Sequence, residues 1–469
     1  MKKLYFYSLL FILIAFILLF CESHSIAQTI NYQQNKRRQH SRRKNLSSTY
    51  LKRNISFDYI YTGDFFSNIA GGHEQKSDYC YVMDFLVTGE LDSLFWGRNA
   101  SFGFDIVGIN GVNPSDAVGD FQGISNIAAP KTLRPYETWF QIDIINEKLS
   151  LLFGMYDINS EFYFNETAAL FLNSSFAIGP EFSQNGCIGA PTYPNPGLGL
   201  RLKTKLSDSI SLKTALMDGK TCAFDAAWSE YYTINRNEGA LLAMEVTFAS
   251  NEEKTKTLAP SSKRFQRRRH RMRSDRFNNT FHQNRNALYK DNQYFINFPQ
   301  GSYNKFSLGS WYYNTGFDTL TENNNPESLK HWNNWGFYST GEKILWQDDG
   351  NPIEAVSAFF HVGISDKNVN KVDMSFACGL VYSGIFLKHF QNQIGVGFTA
   401  AHRSDRFQSA FYGDGRKGDE WEMISELSCR SQVNKVLSFQ PDIQYIVNPG
   451  FEQDYDNALV LGIRLEMAF

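Results

Sequence analysis

The chain has 469 residues, a formal net charge of −2 and an aromatic content of 15%, with 40 phenylalanines. Its mean hydropathy of −0.37 excludes a bundle of membrane-spanning helices, which needs several continuous apolar spans, while its length suits two or three soluble domains or one large β-barrel. The near-neutral total hides a division: Lys36 to Arg53 supplies eight Lys or Arg and no acid, Asn251 to Arg276 supplies ten against three acids, and the remainder is acidic.

In chain order, the first element is the single apolar span Leu4 to Phe20, preceded by Lys2 and Lys3 and followed by Ser25-Ile26-Ala27. A charged start, an apolar stretch and small residues predict a secretory signal peptide over 1–27, cleaved after Ala27. An uncleaved anchor helix is the alternative, and a lipoprotein signal at Cys21 is disfavoured because bulky Phe20 precedes it. Residues 28–55 have no apolar periodicity and are expected to form a basic, disordered arm.

Alternation then predicts strands near Ser56–Thr62, Tyr79–Leu91, Ala100–Asn110, Tyr136–Ile144, Leu149–Asp157, Gly197–Lys205, Ile210–Met217 and Gly239–Phe248. Eight more follow near Phe306–Thr315, Trp335–Gln347, Glu354–Ile364, Val372–Tyr382, Gln393–His402, Glu420–Val433, Leu437–Asn448 and Asn457–Phe469. In the last of these Leu459, Leu461, Ile463, Leu465, Met467 and Phe469 share one face, and Val460, Gly462, Arg464, Glu466 and Ala468 share the other. A soluble sandwich alternates too, but an even strand count, runs of about 10 residues, short turns alternating with long loops and a terminal aromatic favour an all-β, antiparallel transmembrane β-barrel over 56–469.

With both termini in the periplasm, connections after odd strands are external. The stretch Ile158 to Pro196 is then an external loop able to fold back into the lumen, and the basic insert at 251–285 shares the periplasmic side with the arm, where both can meet anionic lipid headgroups or cell-wall polymer.

The richest stretch runs from Arg134 to Gly186. On its first strand Tyr136, Thr138, Phe140, Ile142 and Ile144 fall on one face, and Glu137, Trp139, Gln141 and Asp143 on the other. The chain returns through Gly154-Met155-Tyr156-Asp157-Ile158-Asn159-Ser160-Glu161-Phe162-Tyr163, and the loop goes on through Phe171-Leu172-Asn173-Ser174-Ser175-Phe176 and Gly179-Pro180-Glu181-Phe182-Ser183-Gln184-Asn185-Gly186. Together with Val118-Gly119-Asp120-Phe121-Gln122-Gly123-Ile124-Ser125-Asn126 upstream and the tail ending in Phe469, these motifs resemble the OprB-type carbohydrate-selective porins of bacterial outer membranes. The resemblance spans nearly the whole mature chain and fails over Asn31 to Arg53 and 251–285. It implies a 16-stranded outer-membrane barrel that passes sugars by passive diffusion; a general diffusion porin without sugar preference is the alternative.

A sugar offers hydroxyls and apolar C–H faces, so a selective constriction needs carboxylates, amides or Arg and an aromatic ring. The channel candidates are Arg134, Glu137, Trp139, Gln141, Asn159, Glu161, Asn173, Gln184 and Asn185, each of which could equally hold the loop against the wall. Arg134 either supplies a fixed donor or pairs with Glu137 or a loop carboxylate. No catalytic constellation, metal-ligand spacing or cofactor motif emerges, and secretion argues against nucleic acid as the partner of Arg267-Arg268-Arg269-His270-Arg271. Expected partners are sugars and outer-membrane lipid, with homo-oligomerisation left open. Of the cysteines, Cys378 and Cys429 are placed on lipid-facing sides and expected to stay unpaired; Cys187 and Cys222, on successive external loops, could bridge, with Cys80 on a lumen face a weaker candidate.

Overall fold

Side chains alternate across a strand, so a sheet that separates lipid from water must carry apolar residues on one face and polar residues on the other. This division organises the fold. A computed structural model describes residues 53–469 except 96–97, 146–147, 186–188, 220–238, 251–303, 319, 321–329, 349–353, 385–391, 413–417 and 435. The expected signal peptide, the arm up to residue 52, the basic insert, and Cys187 and Cys222 lie outside the described residues.

Sixteen strands form one closed antiparallel barrel, each paired with its neighbours in sequence and the last with the first. They are β1 (Arg53–Ala70), β2 (Ser77–Phe95), β3 (Arg98–Gly111), β4 (Thr132–Ile145), β5 (Leu149–Tyr156), β6 (Gly197–Lys205), β7 (Ile210–Asp218) and β8 (Ala240–Ser250). The second half comprises β9 (Asn304–Asp318), β10 (Lys330–Gln347), β11 (Ala355–Ser365), β12 (Val372–Ser383), β13 (Asn392–Arg403), β14 (Trp421–Gln432), β15 (Leu437–Val447) and β16 (Ala458–Ala468). Each of the sixteen segments predicted from alternation overlaps one of these strands. Among the described residues, no helix is long and apolar enough to cross a membrane.

On β16 the apolar Leu465 is 43% exposed while its neighbour Arg464 is 7% exposed, which fixes the apolar face as the outward one. Polar side chains such as Thr62, Asp64, Glu245, Thr340 and Glu426 are buried on the inward face. Cys378 and Cys429 sit half-buried on the outward sides of β12 and β14 and are free; Cys80 is free and buried on the inward face, its Sγ 3.8 Å from Ser125 Oγ.

The seam is closed by Ile60 opposite Ala468, and Tyr59 and Phe469 exchange backbone hydrogen bonds of 3.2 and 2.9 Å. Behind it Arg464 grips Asp64 with two bonds of 2.7 Å, while Ser125 donates to Asp64 and Arg464 donates to Asn126. The stretch joining β3 to β4, which contains the Val118–Asn126 motif, is thereby fastened to the inward face of the seam.

Expected and observed faces differ at one place. Thr138 pairs with Phe104 but Pro135 pairs with Ile106, so Tyr136 and Glu137 together oppose one residue of β3. Such a bulge resets the alternation. Tyr136, assigned to the apolar outer face by strict period two, therefore turns inward, is fully buried, and donates to Asp157 Oδ2 at 2.6 Å. The same bulge lets Arg134 and Glu137, one of even and one of odd number, occupy the same side.

Candidate functional site

The connection between β5 and β6 spans residues 157–196 and is folded by short local turns. Asp157 accepts Asn159 N–H at 2.8 Å, Asn173 accepts Ser175 N–H at 3.0 Å, and Pro180 opens a helical turn through Ser183. Most of its apolar side chains, including Phe162, Tyr163, Phe171, Phe176 and Phe182, are fully buried against inward-facing rings of the strands. Phe182 stacks on Trp311 at 4.9 Å between ring centres, and Tyr163 lies 4.3 Å from Tyr338.

Four strands then take hold of its backbone. Lys213 of β7 donates to the Glu161 carbonyl, Glu245 of β8 accepts Tyr163 N–H at 2.9 Å, Lys305 of β9 donates to the Phe164 carbonyl at 2.8 Å, and Glu342 of β10 accepts Thr167 N–H at 2.9 Å. These four side chains also pair among themselves, Lys213 with Glu245 at 2.7 Å and Lys305 with Glu342 at 3.2 Å. Farther round, Glu426 of β14 accepts the N–H groups of Leu172 and Asn173 at 2.6 and 3.0 Å, and Gln440 donates to the Leu170 carbonyl at 2.6 Å. Glu422 does the same for the β3–β4 stretch, accepting from Phe121 and Gln122 at 2.8 and 3.0 Å.

Glu181 fastens the turn after Pro180. Its carboxylate accepts from the hydroxyls of Tyr163, at 2.8 Å, and Ser375, and it lies against Gly363, where a Cβ would collide with it. Burial pushes Glu181 above its ordinary value despite the two hydroxyl donors. Burial alone would raise Glu161 as well, but the cations of Arg201, Lys203 and Lys213 outweigh it and hold that carboxyl below its ordinary value.

The nine candidate residues divide into groups. Glu137 accepts Trp139 Nε1 at 3.2 Å and Asp157 N–H at 3.1 Å. Gln141 and Glu161 meet on Arg201, whose guanidinium donates to Gln141 at 2.7 Å and to Glu161 through Nε at 3.0 Å and Nη2 at 2.6 Å. Arg134 donates to the loop amide Asn195 at 2.7 Å. Asn159 spans the carbonyls of Phe162 and Ala177, Asn173 reaches Gln444, Gln184 donates to the Phe121 carbonyl at 2.8 Å, and Asn185 sits buried with its N–H on the Phe182 carbonyl. Of the nine, Glu161 and Gln184 keep partial exposure.

Sequence reasoning missed Arg201, Lys213, Glu245, Lys305 and Glu342. Their signal was present: in Gly197-Leu198-Gly199-Leu200-Arg201-Leu202-Lys203, charge alternates with leucine and places Arg201 and Lys203 on the polar face. What alternation cannot supply is the identity of their partners some 40 to 60 residues away in the chain. Among the described residues no group of His, Cys, Asp and Glu is arranged to hold a metal ion.

The sequence profile of the carbohydrate-selective porin family, OprB, matches residues 74–469. Porin B of Pseudomonas aeruginosa is 26% identical over 147 residues, 29% of this chain; the alignment spans 32% of that curated relative's length. Among solved structures, OprB of Pseudomonas putida at high pH superposes with a TM-score of 0.68 and 19% identity, covering 88% of this chain and 94% of that one. At that identity the likeness speaks for the fold.

Proposed function

Because the chain belongs to the carbohydrate-selective porin family, OprB, we propose that it is a non-enzymatic channel through which sugars cross the bacterial outer membrane by passive diffusion. The stretch between β5 and β6 narrows the lumen in this reading. The observation that carries it is charge compensation: Arg201 with Glu161, Lys213 with Glu245 and Lys305 with Glu342 place three cations against three anions where that stretch meets the wall. Neutralised pairs and amides at this wall give little local field to select an ion, yet offer many donors and acceptors to hydroxyls.

Gln184, partly exposed and bonded to the backbone carbonyl of partly exposed Phe121, is the first choice for sugar contact. A few hydrogen bonds at about 1 kcal/mol net each, with ring contact, give an affinity near millimolar, or about 4 kcal/mol. Binding of that strength permits release at the far side. Purified full-length protein in planar bilayers tests this. Monosaccharides are expected to reduce the ion current with saturation, whereas a current that falls only with solution viscosity identifies a general diffusion pore.

A further inference from the structure

Lys213, Glu245, Lys305 and Glu342 stand on four consecutive strands, and their signs alternate. The groups they meet on the segment Glu161–Thr167 alternate with them: carbonyl, N–H, carbonyl, N–H. An ammonium can only donate and an ionised carboxylate can only accept, so each charge matches the polarity of the backbone group before it. Cross-strand register supplies the frame, since Lys213 faces Glu245 and Lys305 faces Glu342 directly across their strand pairs. A surface ion pair would leave its donors and acceptors to water; here Glu245 and Glu342 are 2% and 4% exposed, and the backbone of the segment takes the place of solvent.

We infer that these four side chains are positioning residues for the channel: they set the bore by fixing the main chain of Glu161–Thr167. They do so through the polarity of its backbone groups, and Glu342 also accepts the Thr167 hydroxyl at 3.1 Å. The inference rests on the channel reading above and specifies which wall residues hold the constricting stretch in place. Lys305 has a second contact that fits the role, its ammonium lying 4.8 Å from the centre of the Phe164 ring. Tyr338 completes the set by donating to Glu245 at 2.9 Å, so that this carboxylate serves Lys213, the Tyr163 N–H and a wall hydroxyl together.

The discriminating experiment is a charge swap, Lys305→Glu with Glu342→Lys, studied in full-length protein in bilayers without sugar. The swap preserves the ion pair but sets a carboxylate against the Phe164 carbonyl and an ammonium against the Thr167 N–H. The expected result is a folded barrel, judged by its heat-dependent mobility on gels, with raised ion conductance and open-channel noise. Lys305→Met should change the current in the same direction, and Lys305→Arg, which keeps charge and donors, should restore it. Wild-type conductance and noise in the swap would mean that the pair only neutralises itself, and would overturn the inference. A swap that fails to fold would assign these residues to barrel assembly and overturn it as well. Because these currents are read without sugar, a channel that proves indifferent to sugars would defeat the functional reading and leave this result standing.

Discussion

Glu137 and Trp139 are engaged with each other: the indole N–H donates to the carboxylate, and the ring lies over Gly103 of the neighbouring strand, where a side chain would strike it. At 8% exposure Trp139 has little face to offer a sugar, and it belongs to the same apolar cluster as Phe162, Phe182 and Trp311. Trp139→Ala should therefore cost about 3–5 kcal/mol of barrel stability, the usual range for emptying a buried aromatic site, read as a lower unfolding temperature or denaturant midpoint. Gln184→Ala should leave that midpoint nearly unchanged and weaken sugar block of the current. The reverse pattern would place the sugar at Trp139. The inward direction of Glu137, Trp139 and Gln141 was legible from alternation alone. Their engagement was not, because it depends on Asp157 and Arg201, brought to them by chain folding rather than by spacing. The same limit applies to several acidic residues of the barrel. Glu245, Glu342, Glu422 and Glu426 look like field-generating charges in a list of residues, yet each accepts backbone N–H groups that would otherwise be buried unpaired.

At the scale of elements, a recurrent contact is an aromatic ring laid across a glycine directly opposite in register. Trp311 lies over Gly336, Tyr338 over Gly309, Phe360 over Gly341 and Phe66 over Gly462. The pairing covers the gap left by the missing side chain and fixes the ring's direction. Its consequence depends on the face. Trp311 points inward and stacks on Phe182, whereas Phe360 points outward and is 37% exposed. Gly336→Val should displace Trp311 into the β5–β6 stretch, an overpacking cost of about 1–3 kcal/mol, and change channel conductance. Gly341→Val should leave conductance at the wild-type value, because an outward ring can shift toward lipid. Equal effects would show that the rings act only on sheet stability. The strands were readable because alternation ran through most of each segment, as in Ile210 to Met217. The bulge at Tyr136 and Glu137 was not, since neither residue type marks the position and the extra residue is defined only by pairing with β3.

For the whole molecule, the even strand count puts Arg53, the end of β16, Ser250 and Asn304 at one end of the barrel, and the 157–196 stretch leaves from the other. Ser250 and Asn304 are paired directly, so the strands flanking the insert need nothing from it to stay in register. We expect protease added to intact cells to spare residues 251–285 and to cut them once the outer membrane is opened; cutting in intact cells would reverse the proposed orientation. Ring closure has a further consequence for synthesis. Asp64 and Arg464 are separated by 400 positions, and until the final strand is delivered both β1 and β15 remain open edges, with such distant pairing among the slowest events available to a chain and open edges the natural start of aggregation. The β3–β4 stretch is tied to that same seam through Ser125 and Asn126, so the last strand supplies both the missing wall and the anchor for part of the interior. A chain broken off before Ala458 would therefore be an unfinished sheet, with β1 and β15 left as open edges and the interior stretch without its anchor.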